Sequence, residues 1–446
     1  MKTLALSMIV RNAAAELREC LESARGVVEE MVVADTGSTD ETIAVAEQCS
    51  ARVISLPWTN DFAEARNRAL DEVKSDWVLV LDADERLDAT TAGQIRRLIE
   101  CGDIGGYLVT IRNYVRSLDE RVWDTGAKPN DSLLPSSAKY PGFIEHENVR
   151  LFRRDEEIYF VGRVHESVGP RIQELGRKLA KATFCIHHFG LAADAGTRAR
   201  KNQFYRELGR QKVREMPQNA QAHLELGLVE LDNFRNYPEA LERFEQACEL
   251  NPQLRVAWFF RGLTLLKLER FRDSAECLAE AEKRGHRTAL VAETWGDALY
   301  NLREFPRAGQ KYFLALRRDP GNPNLESKLG LALVRAGKTA KGLATIAHGI
   351  ARHPKASEPR DRLVLALVSL NRLAEAAGAA EEKLEFSENL QPSDFVRAAS
   401  LWVKVSQRNS ALAAVRRGLQ RYPEHQVLGQ ALQEILQMPR ENLQPV

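Results

Sequence analysis

Two aspartates two residues apart, Asp82 and Asp84, follow the apolar run VLVL at 78–81, and Glu85 comes directly after them. Side chains two apart on a strand share a face, so both carboxylates are expected to point together. Ionised carboxylates side by side at the end of an apolar strand repel and lose hydration, and a divalent cation relieves both costs. Oxygen ligands suit Mg²⁺ or Mn²⁺. A solvated acidic turn is the plainer alternative. In Asp35-Thr36-Gly37-Ser38-Thr39-Asp40, Gly37 permits a tight turn and Ser38, Thr39 or Asp40 can cap a helix. Asp35, at the tip of the preceding apolar run, is placed to hold the base or ribose of a nucleotide. The loop has neither the GxxxxGK nor the GxGxxG spacing.

Three further positions carry chemistry. In WTNDFAEARN (58–67), Asp61 and Glu64 have capping-box spacing, while Arg66 adjoins the small and apolar stripe of Ala65, Ala69 and Val73. Either its stem runs past the core with the charge in water, or its guanidinium meets an anion. Glu166 is a candidate general base, with an ion pair to Arg163 or Arg171 as its structural alternative. His187 and His188 are adjacent on a strand-like segment and point opposite ways, so one of them can join the aspartates as a metal ligand.

These residues need a scaffold, and the first 195 residues read as one. Strand patterns at 4–10, 31–35, 51–56 and 77–84 alternate with helical patterns at 13–24, 42–49 and 62–73. Such continuously apolar strands suit a mostly parallel sheet between helices, whose ligand crevice lies beyond the strands' carboxyl ends. Further strand candidates lie at 107–114, 149–152, 158–162 and 182–190. Residues 117–142, with Gly126, Pro129, Pro135 and Pro141, read as a long binding loop or lid.

From about residue 219 a different period takes over. Gly227, Gly262, Gly296 and Gly330 are 35, 34 and 34 residues apart, with Phe244, Tyr312 and Ile346 as large residues between them. Five to six helical-hairpin repeats are expected over 219–430, after a linker helix at 196–218 and before a tail at 431–446.

The chain has 446 residues, too many for one core, and 63 basic residues against 62 acidic ones. That balance gives no reason to expect nucleic acid as partner. The six cysteines lack a CxxC pair and read as thiols of a reducing compartment. No stretch reads as a signal peptide or membrane span, which makes the cytoplasm the expected location.

Taken as an ordered series, LSMIVRN (6–12), VVADTGSTDET (32–42), WTNDFAEARN (58–67), DWVLVLDADE (76–85), RLFRR (150–154), GRVHE (162–166) and IHHFG (186–190) resemble the family-2 glycosyltransferases of GT-A fold. The closest resemblance is to the bacterial branch that adds C-terminal tetratricopeptide repeats. It implies an α/β nucleotide-sugar-binding domain over 1–195 followed by an all-α repeat solenoid. Asp35 then contacts the nucleotide, Arg66 lies near the donor, and Asp82 and Asp84 hold the diphosphate through Mn²⁺ or Mg²⁺. His188 (or His187) closes the metal site and Glu166 deprotonates the acceptor. The implied reaction is inverting transfer from a nucleotide-diphosphate sugar, with a UDP-sugar as first expectation. The acceptor is expected to be a protein or peptide side chain recruited by the repeats, with a glycan or lipid-linked saccharide as alternative. An inactive scaffold using only the repeats, and repeats that build a homo-oligomer, are the competing readings.

Overall fold

The computed structural model describes residues 2–118, 120–122, 125–190 and 195–438. The chain divides into two compact units, Met1–Val229 and Glu230–Val446.

The first unit opens with β1 (Leu4–Val10), α1 (Ala14–Ala24), β2 (Glu30–Asp35), α2 (Thr42–Gln48), β3 (Arg52–Ser55), α3 (Phe62–Asp71) and β4 (Trp77–Val80). This is the alternation that the apolar runs predict. It continues through β5 (Glu85–Arg86), α4 (Thr91–Ile99) and β6 (Ile104–Val115), then β7 (Arg121–Val122), β8 (Thr125–Gly126) and β9 (Lys128–Pro129). After a 3₁₀ turn at Pro135–Ser137 come β10 (Gly142–Arg153), α5 (Gly169–Glu174), β11 (Lys178–His188), α6 (Ala195–Glu215) and α7 (Ala220–Asp232). The unit boundary falls within α7.

The main sheet runs β3-β2-β1-β4-β10-β6-β11-β5, with β9 beside β10. Strands β1 to β4 pair in parallel, whereas β10 is antiparallel to both β4 and β6. The sheet is therefore mixed, and its parallel half is the half that alternates with helices. Segment 158–162 does not become a strand: it makes one isolated bridge, Val161 to Ser167, which closes the turn that presents Glu166. Trp77, Leu79, Leu6 and Met8 are fully buried on one face, and Val78, Ala5 and Phe152 on the other. Burial on both faces explains why these strands read as apolar runs without alternation.

Asp61 caps α3 by accepting the Glu64 N–H at 3.0 Å. The Glu64 side chain turns to Thr59 instead, at 2.6 Å, so only half of the expected capping box forms.

In the second unit the helices pair along the chain: α8 (Tyr237–Leu250), α9 (Arg255–Lys267) with α10 (Phe271–Lys283), and α11 (Ala289–Asn301) with α12 (Phe305–Arg318). There follow α13 (Pro323–Arg335) with α14 (Thr339–Arg352), α15 (Glu358–Ser369) with α16 (Leu373–Phe386), α17 (Pro392–Lys404) with α18 (Arg408–Arg421), and α19 (Gln426–Gln437). Helix α19 runs past residue 430, where the array was expected to stop, and 439–446 lie outside the described residues.

The periodic glycines mark close helix crossings. A Cβ on Gly296 would lie 2.6 Å from the Tyr312 ring, and one on Gly330 would lie 2.6 Å from Ile346 and 2.7 Å from the Gly342 carbonyl. The Gly342 contact is backbone, which cannot turn aside. Gly330→Ala is therefore expected to destabilise the array by about 1–3 kcal/mol, read as a lower urea midpoint. An unchanged midpoint would show that α13 and α14 approach less closely.

Candidate functional site

A cavity of about 790 Å³ opens beyond the carboxyl ends of β1 and β2, walled by Asn12, Thr36, Asp84, Lys139, Gly190 and Tyr205 among others. It sits where a parallel sheet places a ligand crevice. Thr36 is tied to the Val10 carbonyl through both N–H (2.9 Å) and hydroxyl (3.0 Å), and Asn12 Oδ1 accepts the Thr39 N–H at 2.8 Å. These bonds fix the Asp35–Asp40 loop against the end of β1. Asp35 is buried; its Oδ2 accepts the N–H groups of Gly37 and Ser38, both at 3.0 Å. Its Oδ1 is buried with no hydrogen-bond partner among the described residues. An orphaned buried carboxylate oxygen asks for a donor, which a base N–H or ribose hydroxyl supplies.

Asp82 and Asp84 do not share a strand face. Strand β4 ends at Val80, and the two aspartates lie in a turn closed by the Glu85 N–H on the Asp82 carbonyl at 2.9 Å. Glu85 stabilises the turn by returning its side chain to the Asp82 N–H at 2.8 Å. The two carboxylates consequently diverge. Asp82 accepts from Arg66 (2.8 Å) and from Arg150 (2.9 Å), and Arg150 also reaches Glu85 at 2.9 Å. Burial alone would raise the Asp82 carboxyl, but Arg150 and Arg66 overcome it and hold the group well below the usual carboxylate range. Burial pushes Glu85 the other way, up to about 7.

Asp84 faces His188, with Oδ2 3.4 Å from Nε2. The tautomer of His188 follows from its neighbour. Asn113 donates through Nδ2 to the Ile144 carbonyl at 3.0 Å, so its Oδ1 is the acceptor for the His188 Nδ1–H at 2.7 Å. Neutral His188 then presents a lone pair on Nε2 beside Asp84, the orientation a ligating histidine needs. Burial works to lower the His188 imidazole pKa, but Asp84, Glu85 and Asp82 raise it above its ordinary value. Gly190 keeps the cradle open: a Cβ there would lie 2.6 Å from His188 Nε2 and would collide with Asp84 Oδ2. Asp84 and His188 thus fit a divalent cation on donor chemistry and on space. Asp82 has both oxygens committed to arginines. Gly190→Ala is expected to abolish divalent-dependent ligand binding while the thermal midpoint stays within a few degrees. Undiminished metal-dependent binding would show that the cation sits elsewhere.

His187 points away from this cradle. It is buried, with Nδ1 2.8 Å from the Tyr114 hydroxyl and Nε2 3.5 Å from Asp88.

Arg66 is buried and meets two anions of its own chain, Asp82 and Glu166. It is held by Glu166 through Nε, with its guanidinium carbon 5.7 Å from the Phe160 ring centre. Arg163 pairs with Glu215 and Arg171 with Glu174, so neither alternative partner takes Glu166. The chain Glu166–Arg66–Asp82–Arg150–Glu85 fixes the candidate base relative to the acidic turn.

Several contributors escape sequence reasoning. Arg150 lies within a recognised motif, but only the fold turns it toward Asp82. Gly190 matters through its contact with Asp84, far from it along the chain. Lys139, with Ser136 and Tyr140, comes from the long loop, whose length was its sole signal. Tyr205 comes from α6, expected as a linker. That helix instead packs on the sheet domain: Tyr205 stacks on Phe62 (6.0 Å) and His165 (6.5 Å), and Lys212 donates to the Val164 carbonyl at 3.1 Å.

Residues 6–158 match Glycosyl transferase family 2, and residues 259–323 match a tetratricopeptide repeat family. A TPR repeat-containing protein of Synechococcus elongatus is 31% identical over 200 residues, covering 44% of each chain. An uncharacterized glycosyltransferase of Rickettsia felis is 32% identical over 24% of this chain and 38% of its own. The SPbeta prophage-derived glycosyltransferase SunS of Bacillus subtilis is 24% identical over 37% of this chain and 34% of its own. The matches thus span less than half of these relatives' lengths. With its acidic turn, Asp84–His188 pair and periodic helix pairs already in place, the chain joins an N-terminal domain of glycosyl transferase family 2 to a C-terminal tetratricopeptide-repeat region.

Proposed function

We propose that the chain is an inverting glycosyltransferase that moves a sugar from a nucleotide-diphosphate donor, a UDP-sugar in the first instance, to a protein side chain. The observation that carries the reading is the Asp84–His188 cradle, held open by Gly190 at the wall of a cavity large enough for a nucleotide-sugar. Asp35 Oδ1 supplies an unmet acceptor for the base or ribose. Arg11 and Lys139 add positive charge to the cavity wall for the phosphates.

Asp84 and His188 would hold a divalent cation, which would supply positive charge beside the leaving diphosphate. The chain's own residues do the rest. Arg66 fixes one oxygen of Glu166 and leaves the other to take a proton. The acceptor nucleophile attacks the anomeric carbon opposite the diphosphate; its proton goes to Glu166, and the bond from carbon to diphosphate oxygen breaks. One displacement inverts the anomeric configuration without a covalent enzyme intermediate. Phe62, Phe204 and Tyr205 line one side of the cavity with rings packed on one another.

The repeats are assigned to the acceptor. Stacked helix pairs offer a long concave surface suited to an extended peptide, and tethering it raises the acceptor's local concentration. No helix among the described residues is long and apolar enough to cross a membrane. The cysteines are unpaired, in keeping with the cytoplasm as compartment. Equilibrium titration with nucleoside diphosphates tests the donor half. Binding that appears with Mn²⁺ or Mg²⁺ and vanishes with chelator is expected; a folded chain that binds none of them with either cation overturns the reading.

A further inference from the structure

On the sheet face opposite the cradle, three potential ligands of mixed type converge. Cys185 and His187 are two apart on β11 and therefore share a face. Asp88, just after β5, meets them from the neighbouring element. One ligand atom from each of the three lies within 4.8 Å of the other two. His187 Nε2 is 3.5 Å from Asp88 Oδ2 and 3.6 Å from Cys185 Sγ.

Neither distance is that of a strong hydrogen bond. Both are the edges of a coordination tetrahedron: bonds to zinc of the usual lengths put nitrogen about 3.4 Å from oxygen and about 3.6 Å from sulfur. The surroundings prepare each ligand. Asp88 Oδ1 is saturated by the Thr90 N–H (2.8 Å), the Thr90 hydroxyl (2.7 Å) and the Thr91 hydroxyl (3.0 Å), which leaves Oδ2 turned to His187. His187 Nδ1 lies 2.8 Å from the Tyr114 hydroxyl, whose oxygen can accept from it. With Tyr114 accepting from Nδ1–H, Nε2 carries the lone pair toward Asp88 and Cys185. Arg112 is the nearest opposing charge, and it is engaged by Asp131 (2.8 Å) and Glu145 (3.2 Å).

We propose that Asp88, Cys185 and His187 form a second metal site, for a Zn²⁺-type cation, separate from the donor cradle. Thiolate, imidazole and carboxylate together select a borderline-soft tetrahedral ion over Mg²⁺ or Mn²⁺, and the two negative ligands neutralise a dication. Its role is to position the cradle. Strand β5 pairs with β11 through His187 with Arg86 and His188 with Glu85, the register that brings His188 to Asp84. A metal clip between Asp88 and His187 locks that register from the other face. The site stands on its own geometry, whatever the chain transfers.

Cobalt(II) tests it on the full chain, because only a thiolate ligand gives the near-ultraviolet sulfur-to-cobalt band. One equivalent of Co²⁺ is expected to develop that band in the wild type and in Asp84→Asn, where the cradle is disabled. Excess Zn²⁺ should remove it, Cys101→Ser should retain it, and Cys185→Ser and Asp88→Asn should lose it. In unmodified protein, Zn²⁺ should slow alkylation of Cys185 by about tenfold or more and leave Cys101 unaffected; this reading needs no variant to fold. Absence of the band in folded wild type, its survival in Cys185→Ser, or equal alkylation with and without Zn²⁺ overturns the site. A plain Tyr114–His187–Asp88 hydrogen-bond chain would give that result.

Discussion

Asp84→Asn is expected to lower sugar transfer by at least about 10²-fold, the equivalent of several kcal/mol of lost charge stabilisation on the leaving diphosphate. The substitution keeps the side chain's size and removes its charge, beside His188 Nε2 in the cradle that Gly190 leaves open. The fold should survive, because the turn around Asp84 is held by Glu85 and the Asp82 carbonyl. Thermal unfolding and Mn²⁺-dependent donor binding, measured on one preparation, separate the two effects. Full activity of the variant in chelator would remove the metal from the account.

Glu166→Gln should leave donor affinity near the wild-type value and slow transfer by roughly 10²–10⁴-fold. Glutamine retains an oxygen for the Arg66 Nε–H, so the buried guanidinium keeps a partner while the base is lost. Glu166→Ala makes the contrast. It strips one of two anions from a buried arginine that Asp82 still pairs, and is expected to destabilise the unit by about 1–3 kcal/mol, a penalty for the unmet Nε–H and not for lost catalysis. If the glutamine variant loses donor affinity as well, Glu166 serves the donor and the base lies elsewhere.

What could be read from the sequence follows from where the information sits. Strand β1 and helix α3 are written locally, in an uninterrupted apolar run and in a cap at Asp61, and their starts fall where those signals put them. The repeat glycines were legible because the same helix crossing recurs every 34 residues or so. Segment 158–162 carries strand-forming residues, yet tertiary context gives it a single bridge and a turn. Asp82 and Asp84 were expected on one face because the apolar run was carried through them. The strand stops at Val80, since Glu85 folds back to cap Asp82, a contact that residue types alone do not announce. The choice of His188 over His187 rests on Asn113 and Tyr114, more than 70 residues away in the chain. Arg150 and Tyr205 likewise enter only through long-range packing.

The measurement that bears most directly on the central claim is transfer itself. The 446-residue chain, a panel of nucleotide-sugars and a lysate protein fraction are incubated with Mn²⁺, and intact-protein mass is followed together with nucleoside diphosphate release. One sugar-sized addition to a protein is expected for each diphosphate released, abolished by chelator and by Asp84→Asn. Sugar appearing only on lipid or free glycan would contradict the protein acceptor, and no release from any donor by the folded chain would contradict the glycosyltransferase reading.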